Sequence, residues 1–220
     1  MTPADFIREH LPLTPVPGLP GAQLHLAVPT SGLRGLTDMV PYWAYVWAGG
    51  AVLARFLQDQ PEVVRGRRVL DLGAGSGLVG IVAAQAGAMV CAAEIDPLGR
   101  VATGLNAAVN CVPIEVLPID VLAGEPLQVD LILVGDLFYD PTLVAPVLGF
   151  LDRAMARRTD VLIGDPGRTP LPLDRLDPIA AYDVPDFGSA APVPAKVFRL
   201  RPGAMPAPVA APPHQPRALR

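Results

Sequence analysis

Acids, glycines and aromatics stand close together in three stretches of the 220-residue chain. The first is Val69-Leu70-Asp71-Leu72-Gly73-Ala74-Gly75-Ser76-Gly77. Its glycines let the backbone turn tightly and let a ligand approach with no Cβ in the way. A helix opening just beyond supplies unpaired N–H groups. Two ligand chemistries compete for this loop. Gly75, Gly77 and Gly80 satisfy the dinucleotide pattern G-x-G-x-x-G, with Glu94 near the place of a ribose-binding acid. The ligand would then be a nicotinamide cofactor. Gly73, Gly75 and Gly77 preceded by Asp71 form a different pattern. A carboxylate near the end of a buried strand is costly without a partner. It suits a cofactor carrying an ammonium group and would repel a pyrophosphate. Asp71 therefore favours the second ligand over the first.

The second stretch is Ala93-Glu94-Ile95-Asp96-Pro97. Glu94 is expected at the ribose hydroxyls, since a carboxylate accepts both hydrogen bonds. Ile95 then lies near the adenine. Asp96 followed by Pro97 reads as a helix cap. Further on, Asp120 is placed to reach an adenine amino group, with a turn aspartate as the alternative. The third stretch, Asp136-Leu137-Phe138-Tyr139, follows the apolar run of residues 129–134. In open parallel sheets, ligands bind outside the carboxyl ends of strands, where strand order reverses. An acid and an aromatic three positions apart are well sited there to hold a nucleophile. Asp136 also adjoins the cofactor. The alternative is another cap plus a core aromatic.

These residues need a frame, and the hydrophobic pattern predicts one. Residues 68–72, 88–94, 114–117, 129–134 and 161–163 are short apolar strands. Helices are predicted to about residue 86, over 97–110 and over 143–157. Strands apolar throughout, alternating with helices, indicate an α/β doubly wound, mostly parallel sheet covered on both faces. Residues 179–184 and 197–200 add two late strands at one edge. Before this core, Thr2-Pro3-Ala4-Asp5 caps a first helix through about His10. Residues 12–20 are an extended connector, residues 24–28 a short strand, and residues 51–58 a helix. The expected division is an N-terminal extension over the cofactor site (1–60), a core (61–201) and a disordered Pro-rich tail (202–220).

Composition narrows the function further. Asp plus Glu number 21 against 17 Lys plus Arg, a net charge of −4, so no basic stripe serves a nucleic acid. Cys91 and Cys111 make no disulfide framework, and His10, His25 and His214 make no metal cluster. The first residues lack the pattern of a signal peptide, and no 18-residue apolar run spans a membrane. A cytoplasmic protein acting away from membranes, as a monomer, is the expectation.

Together the motifs resemble those of the seven-stranded class I methyltransferases, whose first motif matches Asp71 with Gly73, Gly75 and Gly77. More closely, the chain resembles the family 16 protein lysine methyltransferases. These place an acid-x-x-aromatic signature after the fourth core strand, where Asp136 and Tyr139 stand. Within that family it is similar to the electron-transfer-flavoprotein β-subunit lysine methyltransferases and their bacterial relatives. The most specific segments are Trp47-Ala48-Gly49-Gly50 and Gly164-Asp165-Pro166-Gly167-Arg168. The last strand departs from the family's Thr-x-Val-aromatic, reading Ala195-Lys196-Val197-Phe198, which puts substrate choice in question.

The resemblance implies S-adenosylmethionine as cofactor and Trp47 lying over it. It implies methylation of a lysine, on the electron transfer flavoprotein β subunit. Alternatives are a ribosomal protein, a nicotinamide-like small amine or, less in keeping with Asp71, a nicotinamide-dependent oxidoreductase. Methyl transfer to an amine is an in-line displacement, so the protein must orient the amine. It must also let the amine lose a proton, because an unperturbed lysine is roughly 99.9% protonated at neutral pH. Asp136 is expected to orient the lone pair. Tyr139, with Phe138 or Trp43, is expected to pack on the stem or the cationic product.

Overall fold

A computed structural model describes residues 1–33 and 40–203. The tail expected to be disordered lies, apart from its first two residues, outside them. The chain opens with α1 (Pro3–His10), a small hairpin β1 (Leu13–Pro15) and β2 (Gln23–His25), a 3-10 turn at Tyr42–Ala44, and α2 (Ala48–Asp59). The core follows as β3 (Arg68–Leu72), α3 (Leu78–Gln85), β4 (Met89–Ala93), α4 (Pro97–Val109), β5 (Ile114–Leu117) and β6 (Leu131–Gly135). It closes with α5 (Pro141–Met155), β7 (Asp160–Asp165), β8 (Leu176–Val184) and β9 (Val193–Leu200). Thr2 and Asp5 form a reciprocal capping box on α1, as the Thr-Pro-Ala-Asp start predicts.

Seven strands make one sheet in the order β5-β4-β3-β6-β7-β9-β8. The first five named are parallel, and β9 runs antiparallel to both β7 and β8. Side-chain alternation explains the uninterrupted apolar runs. Val69, Leu131, Leu133 and Leu162 face α2 and α3, whereas Leu70, Ile132, Val134, Val161 and Ile163 face α5. By the same alternation, Asp71 falls on the α2–α3 face, beneath the start of α3. The late strands begin earlier than their apolar cores suggest, because ladder hydrogen bonds extend β8 and β9 into Pro- and Ala-containing flanks.

The described part of the first 60 residues packs in two places. Helix α2 lies across β6, β7, β8 and β9. Helix α1 and Trp43 instead pack with Ala102, Leu98 and Leu105 of α4. The start of α2 reaches the sheet through backbone-to-backbone contact. A Cβ on Gly49 would sit 2.3 Å from the Gly164 oxygen and 2.5 Å from the Asp136 nitrogen. A Cβ on Gly164 would sit 2.1 Å from the Gly49 oxygen. Only glycines allow this approach. Because the obstructing atoms are main chain, Gly49→Ala must push α2 off the sheet. Overpacking typically costs about 1–3 kcal/mol, and here no side chain can move aside. We expect Gly49→Ala to lower the melting temperature by several degrees and to abolish activity, whereas Gly50→Ala, whose Cβ meets only Val79 at 3.7 Å, is expected to be mild; paired thermal melts check this.

Candidate active site

Strand order reverses between β4 and β6, on either side of β3, and the crevice lies outside their carboxyl ends. A cavity of about 390 Å³ occupies it. A smaller one of about 50 Å³ shares Trp47, Gly73, Gly75 and Gly135 with it. The structure brings Trp47, Gly73, Gly75, Glu94, Ile95, Asp120, Asp136 and Tyr139 to the wall of the larger cavity. Asp71 lines the smaller one, also with Gly73 and Gly75. Gly77 lines neither: it is the left-handed first cap of α3.

The glycine loop is held by acids on both sides. Asp71 is buried and accepts a hydrogen bond from the Gly80 N–H at 2.8 Å. Burial pushes its carboxyl up to about 7, against the lowering effect of that bond, and nearby Glu94 adds to the rise. Among the described residues no cation pairs with Asp71. Glu94 accepts from Gly75 N–H at 2.7 Å and from Asp96 N–H at 2.8 Å, and burial raises it too. Its oxygens keep further lone pairs for ribose hydroxyls. Trp43 lines the larger cavity, and its indole N–H is buried without a partner among the described residues. Asp71 toward an ammonium, Glu94 toward hydroxyls and Trp43 toward an acceptor together fit a nucleoside that carries an amino acid. Asp96 caps α4 through Leu98 N–H, as read from the sequence. Asp120 lines the cavity and also closes its own turn onto Leu122 N–H at 2.9 Å.

Asp136 sits in the left-handed region, with φ 55°. Its N–H donates to the Gly164 oxygen at 3.0 Å, which fixes the turn that follows β6. One carboxylate oxygen accepts from Gly49 N–H at 2.8 Å, and the other accepts from Arg168 Nε. Trp47, the first cap of α2, makes no side-chain capping bond. Asp136 and Asp186 do this work from elsewhere, accepting from Gly49 and Ala48 N–H respectively. Two carboxylates thus face the positive end of α2. Asp136 is a cap, as the alternative reading of the sequence had it, and it also lines the larger cavity.

The aromatics sort differently from the expectation. Phe138 is fully buried in the α5-side core and lines neither cavity, so it cannot meet a substrate. The alternation that turns Tyr139 outward turns Phe138 inward. Trp43 is also almost fully buried and stands beside Gly75 and Gly99, on the side of the glycine loop. Tyr139 remains 43% exposed and its ring lies 5.0 Å from that of Tyr42. Burial is the main cause holding its hydroxyl above the ordinary tyrosine value. Tyr42 in turn contacts Trp47, which contacts Phe187. An aromatic band therefore rims the opening.

Sequence reasoning assigned no site role to Tyr42, Asp186, Phe187 or Arg168, although Arg168 ends one of the most specific segments. Arg168 stands just past the carboxyl end of β7, next to β6 in the sheet. That position was the available signal. Asp186 and Phe187 come from the loop between β8 and β9, whose docking no local pattern announces.

A family model described as lysine methyltransferase matches residues 42–169. The electron transfer flavoprotein beta subunit lysine methyltransferase of Xenopus laevis is 38% identical over 196 residues, 84% of this chain and 80% of that protein. The human protein of the same name is 44% identical over 131 residues, 58% of this chain and 50% of that protein. The match thus spans about half the length of the human relative. Among solved structures, a ribosomal protein L11 methylase from Lactobacillus delbrueckii subsp. bulgaricus superposes with a TM-score of 0.50 at 22% identity, over 68% of this chain and 77% of that one. That likeness concerns the fold.

Proposed function

The chain belongs to the lysine methyltransferase family, and from that membership we propose that it methylates a lysine of the electron transfer flavoprotein β subunit. The observation that carries the site assignment is the joined pair of cavities at the switch point. The small one presents a buried carboxylate, and the large one opens through an aromatic rim. S-adenosylmethionine, the methyl donor, supplies when bound a sulfonium methyl group and its own leaving group. Asp71 is positioned to receive its ammonium group, Glu94 its ribose hydroxyls, and Ile95 the adenine face.

The remaining work falls on the chain. Tyr42, Trp47 and Tyr139 exclude water from the opening and offer ring faces to an alkylammonium. Loss of water disfavours the charged lysine and lowers its pKa. Asp136 accepts a hydrogen bond from the amine and aims its lone pair, while the amine's surplus proton leaves to solvent. Incubating a proteome extract with isotopically labelled S-adenosylmethionine tests the substrate. Label on a lysine of the flavoprotein β subunit is expected; label confined to other proteins would refute the substrate assignment.

Asp71 gives the cofactor a pH signature. Its folded-state value of about 7 lies above the unfolded carboxylate value of about 3.9. The empty protein therefore binds a proton that the unfolded chain releases, and it loses stability as pH rises from about 4 to about 7. Cofactor binding runs the opposite way. An ammonium needs ionised Asp71, so affinity should weaken as pH falls below about 7. It should also weaken above the amino group's own pKa of about 7.7–8.0. Calorimetric titration with S-adenosylmethionine should show both limbs, and Asp71→Asn should remove the acidic one.

A further inference from the structure

We propose that Arg168 is a positioning residue for methyl transfer, holding Asp136 in place and offsetting its negative charge at the amine-binding end of the cavity. The inference rests on the lysine methyltransferase reading and names a residue that this reading does not require.

Arg168 is tied down from several sides. Asp165, buried at the end of β7, accepts from Gly167 N–H at 2.6 Å and from Arg168 N–H at 2.7 Å. That turn projects the Arg168 side chain back over the sheet end. Its Nε donates to Asp136, its guanidinium carbon lies 5.8 Å from the centre of the Trp47 ring, and Nη2 lies 3.8 Å from an Asp186 oxygen. The guanidinium therefore joins the exits of β6 and β7, the entrance of α2 and the β8–β9 loop. Nη2 is buried and has no hydrogen-bond partner among the described residues. Arg168 itself lines the large cavity. A planar, permanently charged fork is suited to such a junction, and a lysine would not reproduce it.

The charges around it decide the effect. Asp136, Asp165 and Asp186 face Arg168, and Asp136 shares the cavity wall with Glu94, Asp96, Asp120, Tyr42 and Tyr139. With Arg168 present, one of the three aspartates is directly neutralised. An arriving lysine amine then meets an oriented acceptor with a positive charge behind it, and a nearby positive charge disfavours the ammonium form. Without Arg168, the negative charge of Asp136 beside the amine is no longer offset, and the amine keeps its proton to higher pH.

The test is the pH dependence of kcat on purified electron transfer flavoprotein, with cofactor and protein substrate both saturating. In Arg168→Gln, the pH at which kcat reaches half its plateau should rise by about one unit or more, the scale of a nearby charge. The loss should be about tenfold near pH 7 and should shrink toward alkaline pH. Arg168→Lys keeps the charge, so its profile should stay where the wild type's is, with a lower plateau from the lost fork. Asp136→Asn should shift the profile toward acid. Calorimetry with S-adenosylmethionine confirms that each variant is folded and loaded. A wild-type-shaped profile in Arg168→Gln, reduced equally at all pH values, would show a merely structural role and overturn the inference. Failure of the wild type to methylate any lysine would instead overturn the functional reading on which it rests.

Discussion

Asp136→Ala is expected to lower methyl transfer by about 10²-fold or more while leaving affinity for S-adenosylmethionine within a few-fold. The loss is on the scale seen when geometry at the reacting atom is disturbed. Cofactor affinity survives because Asp71 stands on β3, and the glycine loop and Glu94 directly follow β3 and β4, not β6. Stability should fall as well. Asp136 accepts the Gly49 N–H at the start of α2, and loss of such a cap costs about 0.5–2 kcal/mol. Asp136→Asn keeps one acceptor oxygen and can retain the cap. If orientation of the amine dominates, its turnover falls between wild type and Ala. If charge dominates, it matches Ala. Melting temperature and turnover per folded molecule, measured together on both variants, separate the capping role from the catalytic one. Near-normal turnover in Asp136→Ala would leave the residue as a cap alone.

Gly75→Arg should abolish cofactor binding in a protein that still folds. Gly75 has φ 54°, and an added Cβ would meet only the Trp43 Cα, at 3.7 Å. Backbone strain from a non-glycine residue there is modest, about 1 kcal/mol or somewhat more. The rest of the arginine side chain, however, has the shared wall of the two cavities as its surroundings. It fills the volume meant for the nucleoside and places a cation where Asp71 awaits an ammonium. Calorimetry should detect no binding at concentrations that saturate the wild type, with a cooperative melt retained. Unchanged affinity would place the cofactor elsewhere.

The strands and helices of the core were legible because their apolar runs have the length and punctuation that a parallel sheet dictates. Residues 68–72 and 114–117 were located to the residue. The glycine loop and its acids were legible for the same reason, being local to one strand–turn–helix unit. What escaped was built by contact between distant segments. Arg168 matters only because β7 lies beside β6, and Asp186 only because the last loop folds back onto Ala48. Phe138 was misjudged because neighbouring residues in a turn face opposite ways, and composition alone does not say which. The double role of Asp136 likewise depends on Gly49 and Gly164 letting α2 touch the sheet. A sequence shows those glycines but not what they approach.

We propose that this crevice delivers a methyl group to a lysine amine of the electron transfer flavoprotein β subunit. Tandem mass spectrometry of the purified flavoprotein, incubated with this protein and S-adenosylmethionine, tests it most directly. A methyl mass increment is expected on a lysine of the β subunit with wild-type protein, and its near-disappearance with Asp136→Ala at matched folded concentration. An unmodified β subunit after incubation with folded, cofactor-loaded wild-type protein would contradict it.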